Sequence, residues 1–238
     1  MGNGLISRRQ SVRVRLHAPN NIMKKYNWTY TESIPETVYV ACSGGVDSVA
    51  AAAILSEWRN VTLLHFSHLD HAHKYELETV DNLAHQLGVR LITSYQSGEQ
   101  DHGSQEKQWR DARYSWFHSF DTDIATGHTL DDAVEWYLMT CLRGRGEYMP
   151  HGNRNVFRPF LLTEKSKLEE YCRYRGLTWW EDPGNHSVDF SLRSRVRNEL
   201  VPVALNCEPG LKNMVKRRLV EKINENKQRI DRLRYLLL

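Results

Sequence analysis

The sequence contains no long hydrophobic run. No stretch of its 238 residues approaches the roughly 20 apolar residues that a membrane-spanning helix needs. The N-terminal segment carries four arginines within its first 15 residues and lacks the apolar middle region of a signal peptide. We therefore expect an intracellular, cytoplasmic protein that makes no contact with a membrane.

Cysteine pairs are also missing. The four cysteines, Cys42, Cys141, Cys172 and Cys207, stand far apart, and none belongs to a Cys-x-x-Cys pair that chelates a metal or exchanges disulfides. This spacing disfavours a zinc ribbon and an iron–sulfur site built on adjacent cysteines. General disorder is disfavoured too, because 40% of the residues are hydrophobic and 10% are aromatic, which is enough apolar surface to offset the entropy of folding.

Charge is distributed unevenly along the chain. The formal net charge is only +3, yet residues 1–25 carry six basic and no acidic residues, and residues 212–238 carry nine basic and three acidic residues. Residues 26–211 carry 17 basic and 26 acidic residues. Basic ends around an acidic body indicate contact with a polyanion at the periphery of a separate chemical site. Charge alone is equally consistent with solvated ends that bind no partner.

Strand and helix patterns alternate along the first part of the chain. Segments that are β-rich or continuously apolar are each followed by a segment with helical spacing. The predicted strands cover residues 37–41, 61–66, 89–93 and 123–126, and the predicted helices cover residues 49–58, 75–87, 104–120 and 130–142. Such alternation predicts an α/β fold with a doubly wound parallel sheet that helices cover on both sides.

The pattern becomes helical after Gly146. Residues 147–159 have the composition of a loop, and helices are predicted over residues 163–174, over residues 196–205 and from Leu211 onward. The last helix is basic and amphipathic. Its apolar residues stand at positions 211, 215, 219, 223, 230, 233 and 237, which mark one stripe of a helix.

The most informative segment is the turn Ser43–Ser48, with the sequence Ser-Gly-Gly-Val-Asp-Ser. It leaves a predicted strand and opens a predicted helix, where unpaired N–H groups and the helix dipole favour an anion. Gly44 and Gly45 let the backbone approach an oxygen closely, and the two serine hydroxyls can donate hydrogen bonds. We therefore predict a phosphate-binding turn. It lacks the lysine of the Gly-x-x-x-x-Gly-Lys-Ser/Thr loop, which disfavours transfer of a terminal phosphoryl group in that manner.

Asp47 limits the kinds of ligand that can bind at this turn. A carboxylate beside a bound phosphate is repulsive unless a divalent cation or a cationic substrate lies between them. Asp47 therefore predicts a magnesium ion, Mg2+, or a substrate ammonium at the turn. The alternative is that Asp47 only stabilises the N-terminus of the helix.

The turn resembles the pyrophosphate-binding loop of the ATP-pyrophosphatase, or PP-loop, superfamily, and within it the chain is most similar to the tRNA(Ile)-lysidine synthetases. The similarity runs from about residue 38 to residue 202 and includes further short motifs in the family's order. These motifs are Phe66-Ser67-His68, Arg110-x-x-Arg113-Tyr114, Thr126-Gly127-His128-x-x-Asp131-Asp132-x-x-Glu135, Arg143-Gly144-x-Gly146, Arg158-Pro159, Glu181-Asp182-Pro183-x-Asn185 and Arg193-x-x-x-Arg197. Each motif is weak by itself, whereas the ordered set is specific.

The resemblance implies an ATP site on the turn. By this similarity, the ATP-binding residues would be Ser43, Gly44, Gly45, Val46, Asp47, Ser48, His68 and Arg143. Asp47 would also hold Mg2+ together with the ATP phosphates. The resemblance further implies catalytic roles for Asp47, Arg110, Arg113 and His128.

Two acidic residues follow the fourth predicted strand. Asp132 and Glu135 stand three residues apart on a predicted helix and therefore share a face, which makes an anionic pocket suited to a lysine ammonium. By the resemblance, these acids would help to bind L-lysine. The alternative is a solvated acidic first turn that the helix dipole stabilises.

Arginines and lysines near the C-terminus are candidates for contacts with tRNA. Arginines that alternate with smaller residues, downstream of Trp179 and Trp180, can grip backbone phosphates while an aromatic ring stacks on a base. The predicted tRNA-binding residues are Arg193, Arg195, Arg197, Lys216, Arg217 and Arg218. Surface salt bridges are the alternative for the arginines, and core packing is the alternative for the two tryptophans.

The resemblance implies a two-step ligase. It would adenylate the wobble cytidine of a tRNA with ATP and then join L-lysine to that cytidine, releasing AMP and pyrophosphate. Three regions are predicted: a basic N-terminal extension over residues 1–37, a PP-loop nucleotide-binding domain over residues 38–159, and a helical, basic C-terminal appendage over residues 160–238. A homodimer is compatible with the sequence.

Two other functions remain open. One is another adenylating enzyme, such as a tRNA thiolase or an ammonia-using synthetase, although the missing cysteine pair counts against a thiolase. The other is a tRNA-binding protein that keeps the fold without catalysis. The presence of Asp47, Ser48, Asp132 and Glu135 counts against that second alternative.

Overall fold

The structure is a computed structural model that describes residue 28 and residues 30–31, 33–67, 73–95, 105–181 and 191–236. His68, most of the basic N-terminal extension and the segment Asp182-Pro183-x-Asn185 lie outside the described residues. The roles predicted for them therefore stay predictions.

The described residues form a six-stranded, mostly parallel sheet. Its strands are β1 (Thr37–Ala41), β2 (Asn60–Ser67), β3 (Arg90–Tyr95), β4 (Ile124–Thr126), β5 (Gly152–Asn153) and β6 (Val156–Phe157). They lie in the order β3-β2-β1-β4-β6-β5, and β5 pairs antiparallel with β6 while the other neighbours are parallel. The strand order reverses direction at β1, so the predicted doubly wound α/β fold is confirmed.

Helices connect and follow these strands. They are α1 (Val46–Ser56), α2 (His73–Leu87), α3 (Gln105–Phe117), α4 (Leu130–Leu142), α5 (Lys165–Arg175), α6 (Leu192–Arg195), α7 (Val201–Cys207) and α8 (Leu211–Leu236). A π-helical turn, Val196–Leu200, joins α6 to α7. Within the described part of the chain, no helix is both long enough and apolar enough to cross a membrane.

The main core lies between β1, α1 and α5. Val38 and Val40 of β1 share a buried cluster with Leu168 and Tyr171 of α5 and with the residues Ala50–Ala53 of α1. The alanines are almost fully buried, and their small side chains let α1 approach the sheet and α5 closely. Because α5 shares this core with β1, it is part of the layer that covers the sheet. The predicted domain boundary at residue 160 stays a prediction.

The prediction of a loop over residues 147–159 is wrong in part, because this segment contains β5 and β6. Both strands have only two residues, too few to give an alternating pattern in the sequence. β6 extends the sheet through the register Ile124↔Val156 with β4. The side chain of Asn155, just before β6, holds this strand to the end of α3. Its Nδ2 donates to the carbonyl oxygens of Phe117 and Phe120 at 3.0 and 2.8 Å.

The apolar stripe of the C-terminal helix packs as predicted at its first four positions. Leu211, Val215, Leu219 and Ile223 are all buried, in a cluster that also contains residues of α4. The side chains at positions 230, 233 and 237 lie outside the described part of the structure. The first half of α8 is therefore held to α4 by hydrophobic burial.

Gly127 brings the end of β4 against the start of α1. A Cβ atom at Gly127 would lie 2.8 Å from the carbonyl carbon and oxygen of Asp47 and 2.8 Å from the backbone nitrogen of Ser48. These are backbone atoms, so neither side of the contact can move away cheaply. The absence of a side chain at residue 127 therefore sets the distance between the two segments that follow β1 and β4.

Gly127→Ala is expected to lower the free energy of unfolding by about 1 to 3 kcal/mol, the usual cost of forcing an extra methyl group into a packed site. Urea denaturation measures this loss. Gly210→Ala is the matched control, because a Cβ there would come closest to the end of the flexible Glu208 side chain. The control should stay within about 0.5 kcal/mol of wild type. Equal losses in the two variants would contradict the role of the Gly127 contact.

Candidate active site

The candidate site lies at the carboxyl edge of the sheet, where β1 and β4 are neighbours. Right-handed crossover connections place the helices that follow these two strands on opposite faces of the sheet. Open α/β sheets bind ligands in the crevice at such a point. The segment after β1 is the turn Ser43–Ser48, and the segment after β4 is Gly127–Thr129.

Hydrogen bonds within the turn fix both serine hydroxyls. Ser48 Oγ donates to the carbonyl oxygen of Gly45 at 2.9 Å and accepts from the backbone N–H of Ser43 at 3.1 Å. Ser43 Oγ lies 3.3 Å from Ser48 Oγ. No side chain caps α1 at Gly45, which leaves the positive end of the helix dipole to an anion.

Two neighbouring segments hold the turn in place. Gly44 has a φ of +90°, which favours glycine. A Cβ there would lie 3.3 Å from the carbonyl oxygen of Glu76 in α2. The backbone N–H of Trp180 donates to the carbonyl oxygen of Gly44 at 2.9 Å. The turn is therefore fixed between the first turn of α2 and the segment that follows α5.

Asp47 is a partly buried carboxylate with few partners. Its Oδ1 is buried and has no hydrogen-bond partner in the described structure, and its Oδ2 lies 3.8 Å from Lys165 Nζ. Burial raises the pKa of Asp47 to about 7; the Lys165 ammonium opposes this shift, while the carboxylates of Asp132 and Asp131 add to it. The site therefore favours an additional positive charge.

A divalent cation fits this environment. Mg2+ prefers oxygen ligands, and a cation next to Asp47 would relieve its repulsion from Asp131 and Asp132. The described residues contain no group of three His, Cys, Asp or Glu side chains that could hold a metal. A magnesium ion at Asp47 would therefore take most of its ligands from phosphate oxygens or water.

Asp131 connects the N-termini of two later helices. Its Oδ2 accepts a hydrogen bond from the backbone N–H of Lys165 at 2.8 Å. Its Oδ1 accepts a hydrogen bond from Lys212 Nζ at 2.6 Å, and the same ammonium lies 3.7 Å from Glu164 Oε2. Asp131 therefore positions the starts of α5 and α8 beside the start of α4.

The structure brings Asp132 and Glu135 together and pairs both with arginines. Arg197 makes a bidentate contact, in which Nε donates to Glu135 Oε1 at 2.7 Å and Nη2 donates to Glu135 Oε2 at 2.9 Å. Arg193 Nη2 donates to Asp132 Oδ1 at 3.0 Å, and Arg193 Nε lies 3.5 Å from Glu135 Oε2. Two carboxylates and two guanidinium groups therefore form one compact cluster, which we call the carboxylate–guanidinium cluster.

Asp132 stays ionised in this cluster. Burial by itself raises the pKa of Asp132, but His128 when it is protonated, Arg193, the backbone N–H of Thr129 and Arg197 together outweigh burial, so that the pKa is lowered. The Thr129 N–H donates to Asp132 Oδ2 at 2.9 Å and closes a capping box at the start of α4. Asp132 therefore serves both the helix start and the cluster.

The predicted tRNA contacts Arg193 and Arg197 are half-buried and pair with Asp132 and Glu135, whereas Arg195 is exposed and lies 3.5 Å from Glu199. Arg197 belongs to the π-helical turn that follows α6. The last hydrogen bond of this turn runs from the backbone N–H of Val201 to the carbonyl oxygen of Val196, which is one residue longer than in an α-helix. Contacts of the three arginines with tRNA stay predictions.

A cavity of about 250 Å3 joins these groups. Its charged lining residues include Asp47, Asp131, Glu135, Lys165, Arg197 and Lys212. Asp47, in the turn Ser43–Ser48 that is predicted to bind phosphate and that we call the phosphate turn, therefore opens into the same space as the carboxylate–guanidinium cluster. Acidic and basic groups alternate around it, so the cavity can bind ligands that carry both charges.

His128 is a neutral side chain near several cationic groups. Burial lowers the pKa of His128 to about 4; the Asp132 carboxylate opposes this shift, while the guanidinium groups of Arg158, Arg193 and Arg113 add to it. Nδ1 of His128 lies 2.8 Å from Thr126 Oγ1. At neutral pH the imidazole is therefore uncharged and able to accept one hydrogen bond and donate another beside these guanidinium groups.

The three arginines predicted to bind ATP or to act in catalysis, Arg110, Arg113 and Arg143, do not lie together. Arg113 of α3 is close enough to influence His128, whereas Arg110 is exposed and its guanidinium carbon lies 5.6 Å from the centroid of the Tyr114 ring. Arg143 is the C-cap of α4. This helix has 13 residues and is about 20 Å long, so Arg143 lies far from His128 in this conformation.

The predicted tRNA contacts of α8 lie outside the cavity. Arg217 and Arg218 are exposed, and Lys216 is half-buried. Arg218 Nη1 donates to Glu221 Oε2 at 2.8 Å. These residues are on the outer side of a helix whose opposite face packs on α4, and Glu221 partly neutralises the charge of Arg218. Their contacts with tRNA stay predictions.

Two lysines of the cavity, Lys165 and Lys212, were not predicted as site residues. Both stand in the first turn of a helix, α5 and α8 respectively, where a cation opposes the helix dipole. Because a lysine in the first turn of a helix is electrostatically unfavourable, its presence in the sequence indicates a nearby acidic side chain. Neither the partner nor its position could be deduced from that signal.

Known proteins resemble the chain over most of its length. Residues 19–204 match the family model described as a PP-loop domain. The tRNA(Ile)-lysidine synthase of Persephonella marina is 28% identical over 209 residues, covering 79% of this chain and 45% of that protein. The corresponding protein of Rhodococcus erythropolis is 34% identical over 184 residues, covering 74% of this chain and 56% of that protein. The chain thus spans about half the length of these curated relatives.

A solved structure covers a similar share of the chain. An NH3-dependent NAD synthetase from Campylobacter jejuni is 16% identical, with a TM-score of 0.45, covering 87% of this chain and 89% of that chain.

Asp47→Asn is expected to stabilise the free protein at alkaline pH. The pKa of Asp47 is raised from 3.8 to about 7, so between these values the folded state retains a proton that the unfolded state releases. Wild-type stability therefore falls as the pH rises through this window, by about 1.4 kcal/mol for each unit of pKa difference. The neutral amide avoids this loss, so the difference in Tm between variant and wild type should grow with pH.

Thermal unfolding between about pH 4 and about pH 8 measures this difference. Asp121→Asn, which removes one charge at an exposed position, is the control. A Tm difference for Asp47→Asn that does not change with pH would contradict the burial of an underpaired carboxylate.

Proposed function

The chain belongs to the PP-loop domain family, and from this premise we propose that it is an ATP-dependent ligase that joins L-lysine to a cytidine of tRNA. The curated relatives named above, which are tRNA(Ile)-lysidine synthases, support this activity. The proposed substrates are ATP, L-lysine and tRNA, and the proposed location is the cytoplasm. A homodimer stays a prediction.

The first half-reaction would activate the cytidine. Its carbonyl oxygen attacks the α-phosphate of ATP, the bond between the α- and β-phosphates breaks, and pyrophosphate leaves. The backbone N–H groups and serine hydroxyls of the turn Ser43–Ser48 bind the phosphates at the start of α1. Arg113 and Arg110 would stabilise the charge that develops on the phosphate oxygens, and the neutral His128 would bind a phosphate or ribose oxygen.

Asp47 would hold Mg2+ against the phosphates. Its unpaired Oδ1 and the repulsion from nearby carboxylates support this role. A bound magnesium ion supplies positive charge that stabilises the leaving pyrophosphate. The turn itself would orient the α-phosphate toward the cytidine oxygen.

The second half-reaction would take place at the carboxylate–guanidinium cluster. A free amino acid carries an ammonium and a carboxylate, and the cluster offers both complementary charges. Asp132 and Glu135 would bind an ammonium of L-lysine, and Arg193 or Arg197 would bind its carboxylate. The lysine amine attacks the activated ring carbon of the cytidine, and AMP departs with the oxygen atom that linked it to the base.

One observation carries this proposal. Asp47 of the phosphate turn and Glu135 of the cluster line the same cavity of about 250 Å3. An adenylated base and an amine would therefore be held next to each other, which is what transfer between the two half-reactions requires.

The test is transfer of radiolabelled lysine to tRNA. The protein is incubated with ATP, labelled L-lysine and total tRNA, and the labelled RNA is then sequenced. Label at a cytidine is expected for wild type, and little or none for Asp47→Asn, because a neutral amide is a poor ligand for Mg2+. ATP cleavage without lysine transfer would favour a different amine or sulfur donor. Binding of tRNA without ATP cleavage would favour the catalytically idle protein.

Glu135→Gln should raise the lysine concentration needed for half-maximal transfer by roughly 10- to 150-fold, because a charge-assisted contact contributes about 1.5 to 3 kcal/mol. Glu78→Gln, at an exposed position of α2, is the control. Arg197 would lose its bidentate partner in the variant, so urea unfolding of Glu135→Gln and of the control separates lost stability from lost lysine binding. A lysine dependence equal to wild type, with weaker ATP binding instead, would assign Glu135 to the nucleotide site.

The basic face of α8 should contribute to tRNA affinity through phosphate contacts. Each such contact contributes roughly 0.7 to 0.9 to the slope of log affinity against log salt. Replacing Lys216, Arg217, Arg218 and Lys222 with Gln should therefore make the slope shallower by up to about 3. The measurement is tRNA binding across a salt series.

The matched control for α8 replaces four exposed basic residues elsewhere, Arg90, Lys107, Lys167 and Arg173, with Gln. An equal change of slope in the control would show that overall charge, rather than α8, determines tRNA affinity. An unchanged slope in the α8 variant would make this helix a packing element only.

A further inference from the structure

An aromatic pair with no role in the chemistry described so far lies beside the phosphate turn. Tyr75, in the first turn of α2, stacks on Trp180, which lies after α5. The ring centroids are 4.6 Å apart and the ring planes are 11° from parallel. Tyr75 is nevertheless 51% exposed. One side of the stack is therefore formed by Trp180, and the tyrosine remains accessible from solution.

The backbone holds this pair against the turn. Trp180 N–H donates to the carbonyl oxygen of Gly44 at 2.9 Å. On the other side, a Cβ at Gly44 would lie 3.3 Å from the carbonyl oxygen of Glu76, the residue after Tyr75. Both aromatic residues are thus attached to segments that touch the same glycine, which fixes the position of the rings relative to bound phosphates.

The chemistry of the pair suits a planar heterocycle. Exposed aromatic rings bind unpaired bases by stacking, which does not depend on base identity. The ring of Trp180 covers one side of the Tyr75 ring, and the exposed part of Tyr75 is the surface that a base would contact. Lys74, next to Tyr75, is exposed and offers a charge for a backbone phosphate.

We propose that Tyr75 and Trp180 form a stacking platform for an unpaired base of the RNA substrate. The alternative source of a planar base is the adenine of ATP. Sites for small molecules bury most of the ligand surface, whereas half of Tyr75 is open to solvent, which suits a base that a macromolecule presents from outside. The platform would hold a nucleotide near the modified cytidine and so orient the RNA loop over the cavity.

This inference depends on the RNA-modifying function proposed above, and binding assays test the two separately. The affinities of wild type, Tyr75→Ala, Tyr75→Phe and Tyr174→Ala are measured for a tRNA transcript, for an RNA duplex without unpaired bases, and for ATP. Tyr174 is the matched control, because it is 56% exposed in the last turn of α5. Thermal unfolding of each variant accompanies the titrations.

Stacking on one base is lost in Tyr75→Ala, so its tRNA affinity should fall by at least about fivefold. Tyr75→Phe keeps a ring and should retain most of the affinity, and Tyr174→Ala should bind tRNA as wild type does. Duplex binding should weaken much less than tRNA binding in Tyr75→Ala, because a duplex offers no unpaired base. Quenching of tryptophan fluorescence by tRNA should also be smaller in Tyr75→Ala.

Several outcomes would overturn the platform. These are tRNA affinity in Tyr75→Ala equal to wild type, an equal loss for the duplex, and an equal loss in Tyr174→Ala. A loss of ATP affinity instead of tRNA affinity would also overturn it and would assign the rings to adenine. Failure of wild type to bind any tRNA would instead count against the proposed function itself.

Discussion

The candidate site is organised around one partly buried carboxylate that has few partners. Asp47 follows the glycines of the phosphate turn, and its Oδ1 has no hydrogen-bond partner in the described structure. Lys165 is 3.8 Å away, while other carboxylates raise the pKa of Asp47 further. Such a group is costly in the empty protein. The cation and phosphates proposed above would make the arrangement around it favourable. The stability of the free protein and the proposed chemistry therefore place opposite requirements on Asp47.

The carboxylate–guanidinium cluster differs from Asp47 because its buried carboxylates are paired with guanidinium groups. Asp132 and Glu135 are more deeply buried than Asp47, but Arg193 and Arg197 compensate their charges within the protein. Breaking a buried pair by removing one partner is costly, whereas exchange for a ligand of the same charges is much less so. A zwitterionic amino acid would replace each contact with an equivalent one. The cluster is therefore stable when empty and still able to select a ligand by charge.

The C-terminal helix α8 contributes residues both to the cavity and to the outer surface of the protein. Its apolar stripe packs on α4, Lys212 at its start lines the cavity beside Asp131, and the exposed Arg217 and Arg218 lie on its outer surface. One helix thus connects the chemical site to the surface that is proposed to bind RNA. The stacked rings of Tyr75 and Trp180 lie on the phosphate turn, so candidate RNA contacts occur beside the site as well as on the tail.

The sequence by itself determined the features that depend on neighbours along the chain: the strand and helix alternation, the phosphate turn with Asp47, the shared face of Asp132 and Glu135, and the first half of the stripe on α8. Only the tertiary structure decided which charges meet. The partners of Glu135 and Asp131 stand more than 60 residues away, in Arg197 and Lys212. The two-residue strand β6 pairs with the edge of β4, and β5 in turn pairs with β6. The physical reason is that local periodicity fixes backbone conformation, whereas the partner of a buried charge is chosen by the packing that excludes water from it.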